Sequence, residues 1–346
     1  HFNTILWTGS GDSSARSFTG VGFQPDWVWY KCRSDAYNHN SVDVVRGTGL
    51  NSELCFNKTS AEGGGDSSTH GYLSSFDADG FSSANGSSNN LEFNQNGDTF
   101  VAWNWKLGGS ASNNTNGSIT SSVTANPTAG TSVVGWTSDG SDATIGHGLS
   151  SAPKLIIHKH RTGTVQWNVY ADAPNAGTGG YLRIDGVNAW GSNSGFFGTA
   201  PTATVFSPGS HSYMSGNGNT NIAYCFADVK GYQKIGSYKG NGDSSNGPMV
   251  YTGFRPAFLL IKEVDGSDVW ALYDNKRIGY NTANYTLEVD GNGAEGTATG
   301  RMHILSNGFR LSYNWTPTNT NGQTYLYLAI AENPFVSSNG IPVNAR

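Results

Sequence analysis

Charge is scarce in this sequence: 13% of its 346 residues are Asp, Glu, Lys or Arg, and the formal net charge is −5. That leaves no basic footprint for a phosphate backbone, which argues against nucleic-acid binding. Long apolar runs are missing as well. None approaches the ~20 residues of a membrane-spanning helix, so nothing here reads as bilayer-embedded. Cysteine is limited to Cys32, Cys55 and Cys225. A disulfide scaffold needs a denser, even set. Cys32 and Cys55 are a pairing option only if their strands adjoin, and Cys225, in an apolar stretch, reads as a small buried hydrophobe. Position 1 is His rather than Met, which we read as a fragment or processed chain with targeting information upstream.

What is present is 47 Gly, abundant Ser, Thr and Asn, and an aromatic set of 10 Trp, 16 Tyr and 16 Phe. A disordered chain is poor in aromatics, so this one folds. Gly and Asn at this density mark tight turns, and aromatics with Val, Ile and Thr mark the strands between them. The chain reads as all-β.

One sentence is spelled three times: "NQNGDTFVAWNW" from Asn94, "SGNGNTNIAYCF" from Ser215 and "NTNGQTYLYLAI" from Asn319. Other anchors keep the same order. Trp7, Trp136 and Tyr238 open the copies, and Pro25, Pro153 and Pro256 each precede a short apolar strand ending in Lys. "VQWNVYADAP" matches "DVWALYDNKR", whereas the first copy has "HNSVDVVRGT", without the Trp. Repeats of this kind define the fold. In "TFVAWNW", Phe100, Ala102 and Asn104 face one way and Val101, Trp103 and Trp105 the other, the mark of a central strand apolar on both faces. The preceding Asn96-Gly97 predicts a tight hairpin turn.

We therefore expect three tandem β-sandwiches, jelly-roll or lectin-like, of about 100 residues each. Copy one spans 1–109, a polar linker 110–130, copy two 131–232, and copy three with a C-terminal tail 233–346. The linker reads as flexible or extended, and single helical turns are expected at "YADAPN" and "LYDNKR".

Chemistry is harder to find. Asp77 and Asp79 in "FDADGF" resemble the start of a calcium loop but lack its remaining ligands, so they read as a turn. His158 and His160 share a strand face without a visible third ligand. Glu53, Glu92 and Glu288 are the best carboxylates for hydrolysis, yet no spacing pairs them. "GDSS" recurs in loops and reads as turn rather than nucleophile, and no catalytic motif appears. We expect no enzyme, metal or cofactor. Sugar binding needs only an exposed aromatic and a few polar groups: Trp190 and Trp315 lie in polar, loop-like surroundings, with Asn193 and Asn319 beside them as hydrogen-bonding partners.

The run "WTGSGDSSARSFTGVGFQPDWVWYKCR … SSFDADGFSSANGSSNNLEFNQNGDTFVAWNWKLGG" resembles uncharacterised modules of tail, fibre and other virion proteins of tailed phages, many of them marine. The closing "YLYLAIAENPFVSSNGIPVNAR" is similar to the C-terminal signature of those proteins. The resemblance covers copy one and the end of copy three well and copy two weakly. It implies a virion-surface β module, structural and receptor-binding at most, with Arg346 as a true C-terminus. Its partners would be other virion proteins and a host-surface glycan, and such fibres are often trimers. The alternatives are a purely architectural decoration of tail or capsid and, below that, a polysaccharide-degrading spike. Where the copies share scaffold, function belongs where they differ.

Overall fold

The repeated sentence sets the centre of each sheet. The computed structural model describes residues 1–12, 14–174, 176–277, 281 and 283–333. In it the chain is all-β, with several antiparallel sheets. Each Asn-Gly pair does turn with positive φ, at 78° for Gly97, 79° for Gly218 and 79° for Gly322. The turn is not a hairpin, however. It joins a single helical turn (Leu91–Asn94, Ser212–Ser215, Thr316–Asn319) to the closing strand (Thr99–Trp105, Thr220–Phe226, Thr324–Ala331). Among the described residues helical turns sit there and at Ser67–His70; the starts of "YADAPN", whose Asn175 lies outside the described residues, and of "LYDNKR" instead complete strands Asn168–Ala171 and Ala271–Asp274.

Each closing strand is flanked by an opening strand (Phe2–Thr8, Thr131–Thr137, Gln233–Lys239) and a middle strand (Trp27–Cys32, Leu155–His160, Pro256–Glu263), both antiparallel. The registers coincide. Trp7 faces Phe100, Trp136 faces Asn221 and Tyr238 faces Tyr325. Trp27 faces Trp105, Leu155 faces Phe226 and Phe258 faces Ile330. The sequence anchors are thus true structural equivalents.

Alternation along the closing strands explains the architecture. Ala102, the pair Ala223 and Cys225, and the trio Tyr325, Tyr327 and Ala329 face three separate outer cores, one per copy. The opposite faces all enter one shared core: Val101, Trp103 and Trp105, then Ile222, Tyr224 and Phe226, then Leu326, Leu328 and Ile330. Aromatic contacts cross between copies inside it. Trp27 stacks on Trp105 at 3.9 Å and on Tyr224 at 4.5 Å, and Phe2 meets Phe258 edge-on at 5.7 Å. The copies are therefore not beads with separate interiors.

The seams between copies repeat one another. Trp167 Nε1 donates to the Cys55 carbonyl (3.0 Å) and Trp270 Nε1 to the Arg183 carbonyl (2.6 Å). His39 holds that register position in copy one, and the Glu288 carbonyl acts on its ring, although Nε2 closes no bond within normal limits. Three buried lysines at the ends of the middle strands also match. Lys159 reaches the Thr59 carbonyl and Lys262 the Val187 carbonyl, each in the preceding copy, while Lys31 bonds the Cys32 and Asp35 carbonyls. Burial lowers all three ammonium groups to a pKa of about 8.

Two seams add a buried ionic bridge. In copy one Asp43 pairs with Arg46 at 2.7 Å and accepts from Tyr224 of copy two at 2.8 Å, while Glu62 joins Arg46 to Arg161. In copy three Asp274 pairs with Arg277 at 2.5 Å and accepts from Trp103 of copy one at 3.0 Å, while Glu295 joins Arg277 to Arg33. The last copy is thereby fastened to the first.

The expected linker at 110–130 is not a connector. Ser112–Asn114 and Ser121–Asn126 are strands, the second paired antiparallel with the opening strand Thr131–Thr137 and the first paired with the second. Ser121, Val123 and Thr124 are buried there, so a Ser/Thr/Val segment that reads as polar covers a sheet edge. Residues 334–346, including Arg346, lie outside the described residues. Cys32 and Cys55 do not pair: the strand Asn40–Asp43 lies between theirs, and all three cysteines are free.

Candidate functional site

The predicted sugar platforms come first. Trp190 is half-buried and packs on the shared core, and its ring lies so close over Gly180 that any side chain there would collide. Its backbone N–H donates to the Val264 carbonyl at 2.9 Å, as Glu62 N–H does to Arg161 (2.8 Å) and Glu295 N–H to Arg33 (2.6 Å). Trp190 thus occupies the place of the two bridging glutamates. At this third seam Ala171, Pro174 and Val264 stand where the others have Asp, Arg and Arg, so an apolar ring replaces a carboxylate. It is a seam residue rather than a free stacking face.

Asn319 is fully buried. Its side chain accepts from Asn241 N–H at 2.9 Å and donates to the Asp243 carbonyl at 3.1 Å. Asn94 does the same in copy one, accepting from Ser10 N–H at 2.9 Å and donating to the Asp12 carbonyl at 2.7 Å. Both latch the recurring "GDSS" loops, so Asn319 is unavailable to a sugar. Asn319→Ala should cost about 2 kcal/mol, the value of buried hydrogen bonds left unmade, read as a shifted urea midpoint at unchanged slope. Trp315 is half-buried with the Arg301 guanidinium 3.8 Å from its ring centre, which occupies one face. Asn193 alone is exposed, its Oδ1 accepting from Gly195 N–H at 2.9 Å.

The other candidates also have local partners. Asp79 accepts from Gly20 and Gly22 N–H groups and Asp77 from Ser75 and Ser82, which pins the turn. His158 bonds Asn221 at 3.0 Å, and burial lowers its pKa to about 3. His160 bonds Thr162. Among the described residues no group of three or more His, Cys, Asp or Glu is placed to hold a metal ion.

Two of the three glutamates do come together. Glu53 and Glu92 are both 2% exposed, in copy one's outer layer. Glu92 Oε2 accepts from Asn40 Nδ2 at 2.7 Å, Cys55 Sγ donates to Asn40 Oδ1 at 3.2 Å, and Ser67 Oγ donates to Glu53. Burial, with Asp66 and Glu53 nearby, raises Glu92 to a pKa of about 8, and burial raises the Cys55 thiol too. Glu53 Oε1, Glu92 Oε1 and Tyr30 Oη are buried without a hydrogen-bond partner. No sequence signal marks this nest, because its members are far apart in the chain. Glu288 stays exposed, away from the pair. Both carboxyls are closed in, whereas a glycosidase pair flanks a bond in an open cleft.

The accessible feature is elsewhere. A concavity of about 340 Å³ lies between the edge strands Gln233–Lys239 and Met249–Tyr251. Its platform is Tyr251, 57% exposed, with Lys234 Nζ 5.7 Å from the ring centre and donating to the Tyr251 carbonyl at 3.1 Å. Asp228 and Lys230 border it, and Asp228 pairs with Lys154 at 2.9 Å. An exposed ring beside convergent polar groups is the ordinary construction of a small-ligand site. Copy one has the matching notch, where Asn3 takes the part of Lys234 and Gly20 stands for Tyr251. Tyr251 escapes a reading of the sequence because "YTGFRP" matches the repeated scaffold.

A family model described as a domain of unknown function, DUF7483, matches residues 1–334. No curated protein matches, and no solved structure does.

Proposed function

We propose that this chain, which belongs to the DUF7483 family, is a structural block of a tailed-phage appendage, three β-sandwich copies fused into one stiff body at the virion surface. The observation that carries this reading is the single aromatic core fed by all three copies and closed by the Arg33–Glu295 bridge from last to first. Buried, mutually fastened lobes resist bending, which suits a part that transmits position or force. The resemblance of the copy-one run to virion modules supplies the location. The test is proteomic: in purified particles of a phage encoding this chain, it should be present in a fixed ratio to known appendage proteins. Finding it only in the infected lysate, absent from particles, overturns the proposal.

A second reading, contact with a host glycan, rests on Tyr251. Labelled chain incubated with host cells and their purified polysaccharide should be retained, and Tyr251→Ala should weaken retention about tenfold, the equivalent of one lost stacking contact. Equal retention of both proteins would remove the site, and release of free sugar would point to an enzyme instead.

A further inference from the structure

The concavity beside Tyr251 holds a one-sided stock of hydrogen-bonding side chains, because its acceptors are already spent. Asp228 Oδ1 accepts from Ile235 N–H at 2.8 Å, and Oδ2 pairs with Lys154 at 2.9 Å. Gln233 Oε1 accepts from Thr131 Oγ1 at 3.1 Å, and its amide nitrogen donates to the Gly130 and Ala227 carbonyls. Thr252 Oγ1 donates to the Phe254 carbonyl at 2.6 Å and accepts from Phe254 N–H at 3.4 Å.

What is left over is cationic and aromatic. Lys230 borders the space and is exposed, and among the described residues its ammonium has no hydrogen bond or ion pair. Lys234 spends one donor, on the Tyr251 carbonyl, out of the three an ammonium carries. The Tyr251 ring is kept clear by Gly253, whose φ of 89° favours a residue without a side chain. A Cβ there would already lie 3.7 Å from Tyr251 Oη. The matching notch of copy one has Asn3 and Gly20 at the two positions, so it has neither ring nor ammonium there.

Free ammonium groups call for an anion, whose hydrogen bonds to them are charge-assisted. An exposed phenol calls for an apolar face to lie on it. We propose that this concavity binds an acidic sugar, a pyranose unit that carries a carboxylate or a sulfate ester, with its ring on Tyr251 and its anion on Lys230 and Lys234. The space of about 340 Å³ is at the small end of ligand sites, which run from about 300 to about 1,000 Å³. It suits one or two units of a polysaccharide whose chain continues into solvent. The inference rests on the glycan reading of Tyr251 and adds the class of sugar to it.

The test is calorimetric titration of the full chain with four oligosaccharides of equal length, each up to about 10 mM, a range that covers weak single-site binding. Oligogalacturonate is set against its methyl ester, and a sulfated cello-oligosaccharide against its unsulfated parent. At least one acidic form should bind about tenfold tighter than its uncharged counterpart, and the form that does so names the anion. Tyr251→Ala should weaken acidic and uncharged forms alike, by about tenfold. Joint Lys230→Gln and Lys234→Gln substitution should abolish only the preference for the acid, since Gln at 234 keeps a donor for the Tyr251 carbonyl. Lys276→Gln, which removes a lysine bordering the notch of copy one, should change nothing. Matching thermal melts show that the variants fold. Equal binding of acidic and uncharged forms overturns the sugar class and leaves the glycan reading standing. Acidic binding that is indifferent to Tyr251→Ala, or weakened as much by Lys276→Gln, is adsorption by charge and overturns it too. No binding of any of the four also overturns it, and retention of the chain by host polysaccharide then decides the glycan reading separately.

Discussion

Asp43→Ala should lower the unfolding free energy by about 3–5 kcal/mol, the range for breaking one side of a buried ion pair. The Asp43 and Arg46 side chains are both fully buried. Removing the carboxylate leaves the buried Arg46 guanidinium with Glu62 as its one remaining ion-pair partner and leaves Tyr224 Oη with one acceptor fewer. Asp274→Ala should act alike through Arg277 and Trp103. The third seam supplies the control, because it does without ions. There Ala171 stands for the aspartate, Pro174 for the arginine, and Leu328 holds the register position of Tyr224 and Trp103. The combined Asp43→Ala, Arg46→Leu, Tyr224→Leu variant should therefore regain at least half of the loss, since apolar replacement of a whole buried pair is often neutral. Chemical denaturation of wild type, single and triple variants decides it. A single-variant cost below about 1 kcal/mol would place Arg46 in contact with water, where a lone charge is tolerated.

The second large effect follows pH. Glu92 titrates at about 8 in the fold against an ordinary value of 4.5. Burial is the main cause, Asp66 and Glu53 add to it, and Asn40 and Lys31 oppose it. Between those two pH values the native protein holds a proton that the unfolded chain has released. Stability therefore falls as pH rises through this window. Glu92's contribution is complete below pH 4.5 and gone above pH 8. At 1.36 kcal/mol per unit the swing is on the order of 4 kcal/mol. Other groups titrate in the same range, so the measurement is a difference: wild type minus Glu92→Gln, by urea midpoint at about pH 5 and about pH 8.5. The wild-type advantage should shrink by that amount. Parallel pH curves for the two proteins would mean that Glu92 is not proton-bound in the fold.

Much of the scaffold is legible in the order of the residues alone. The anchors Trp7, Trp136 and Tyr238 occupy one register position, and the inward and outward faces of Thr99–Trp105 follow the alternation of its letters. What the letters do not disclose is why both faces are apolar. A strand covered by its own second layer and a strand covered by two neighbouring copies have the same pattern, so the pattern implies three interiors where one is shared. Trp190 misleads for a related reason. Its equivalents are Glu62 and Glu295, and no alignment by residue type pairs an indole with a carboxylate. Asn319 is legible in principle, because Asn94 stands at the same point of the repeated sentence. The strand Ser121–Asn126 is concealed by composition: its Ser and Thr suggest a connector, while the alternation Ser121, Val123, Ala125 carries the weak signal of a half-buried strand.

The fastening of Arg33 to Glu295 also has a meaning in time. Chains emerge from the ribosome at about 5–20 residues per second. Copy one therefore waits several seconds, at the least, for the partner that covers Trp103, because Asp274 is synthesised 171 residues later. During that interval its inner aromatic face is open to other nascent chains. Production of the intact protein should thus depend on fast translation, which shortens the wait, or on a chaperone that shields apolar strands, and a truncation lacking copy three should be lost to aggregation rather than accumulate as a shorter fold.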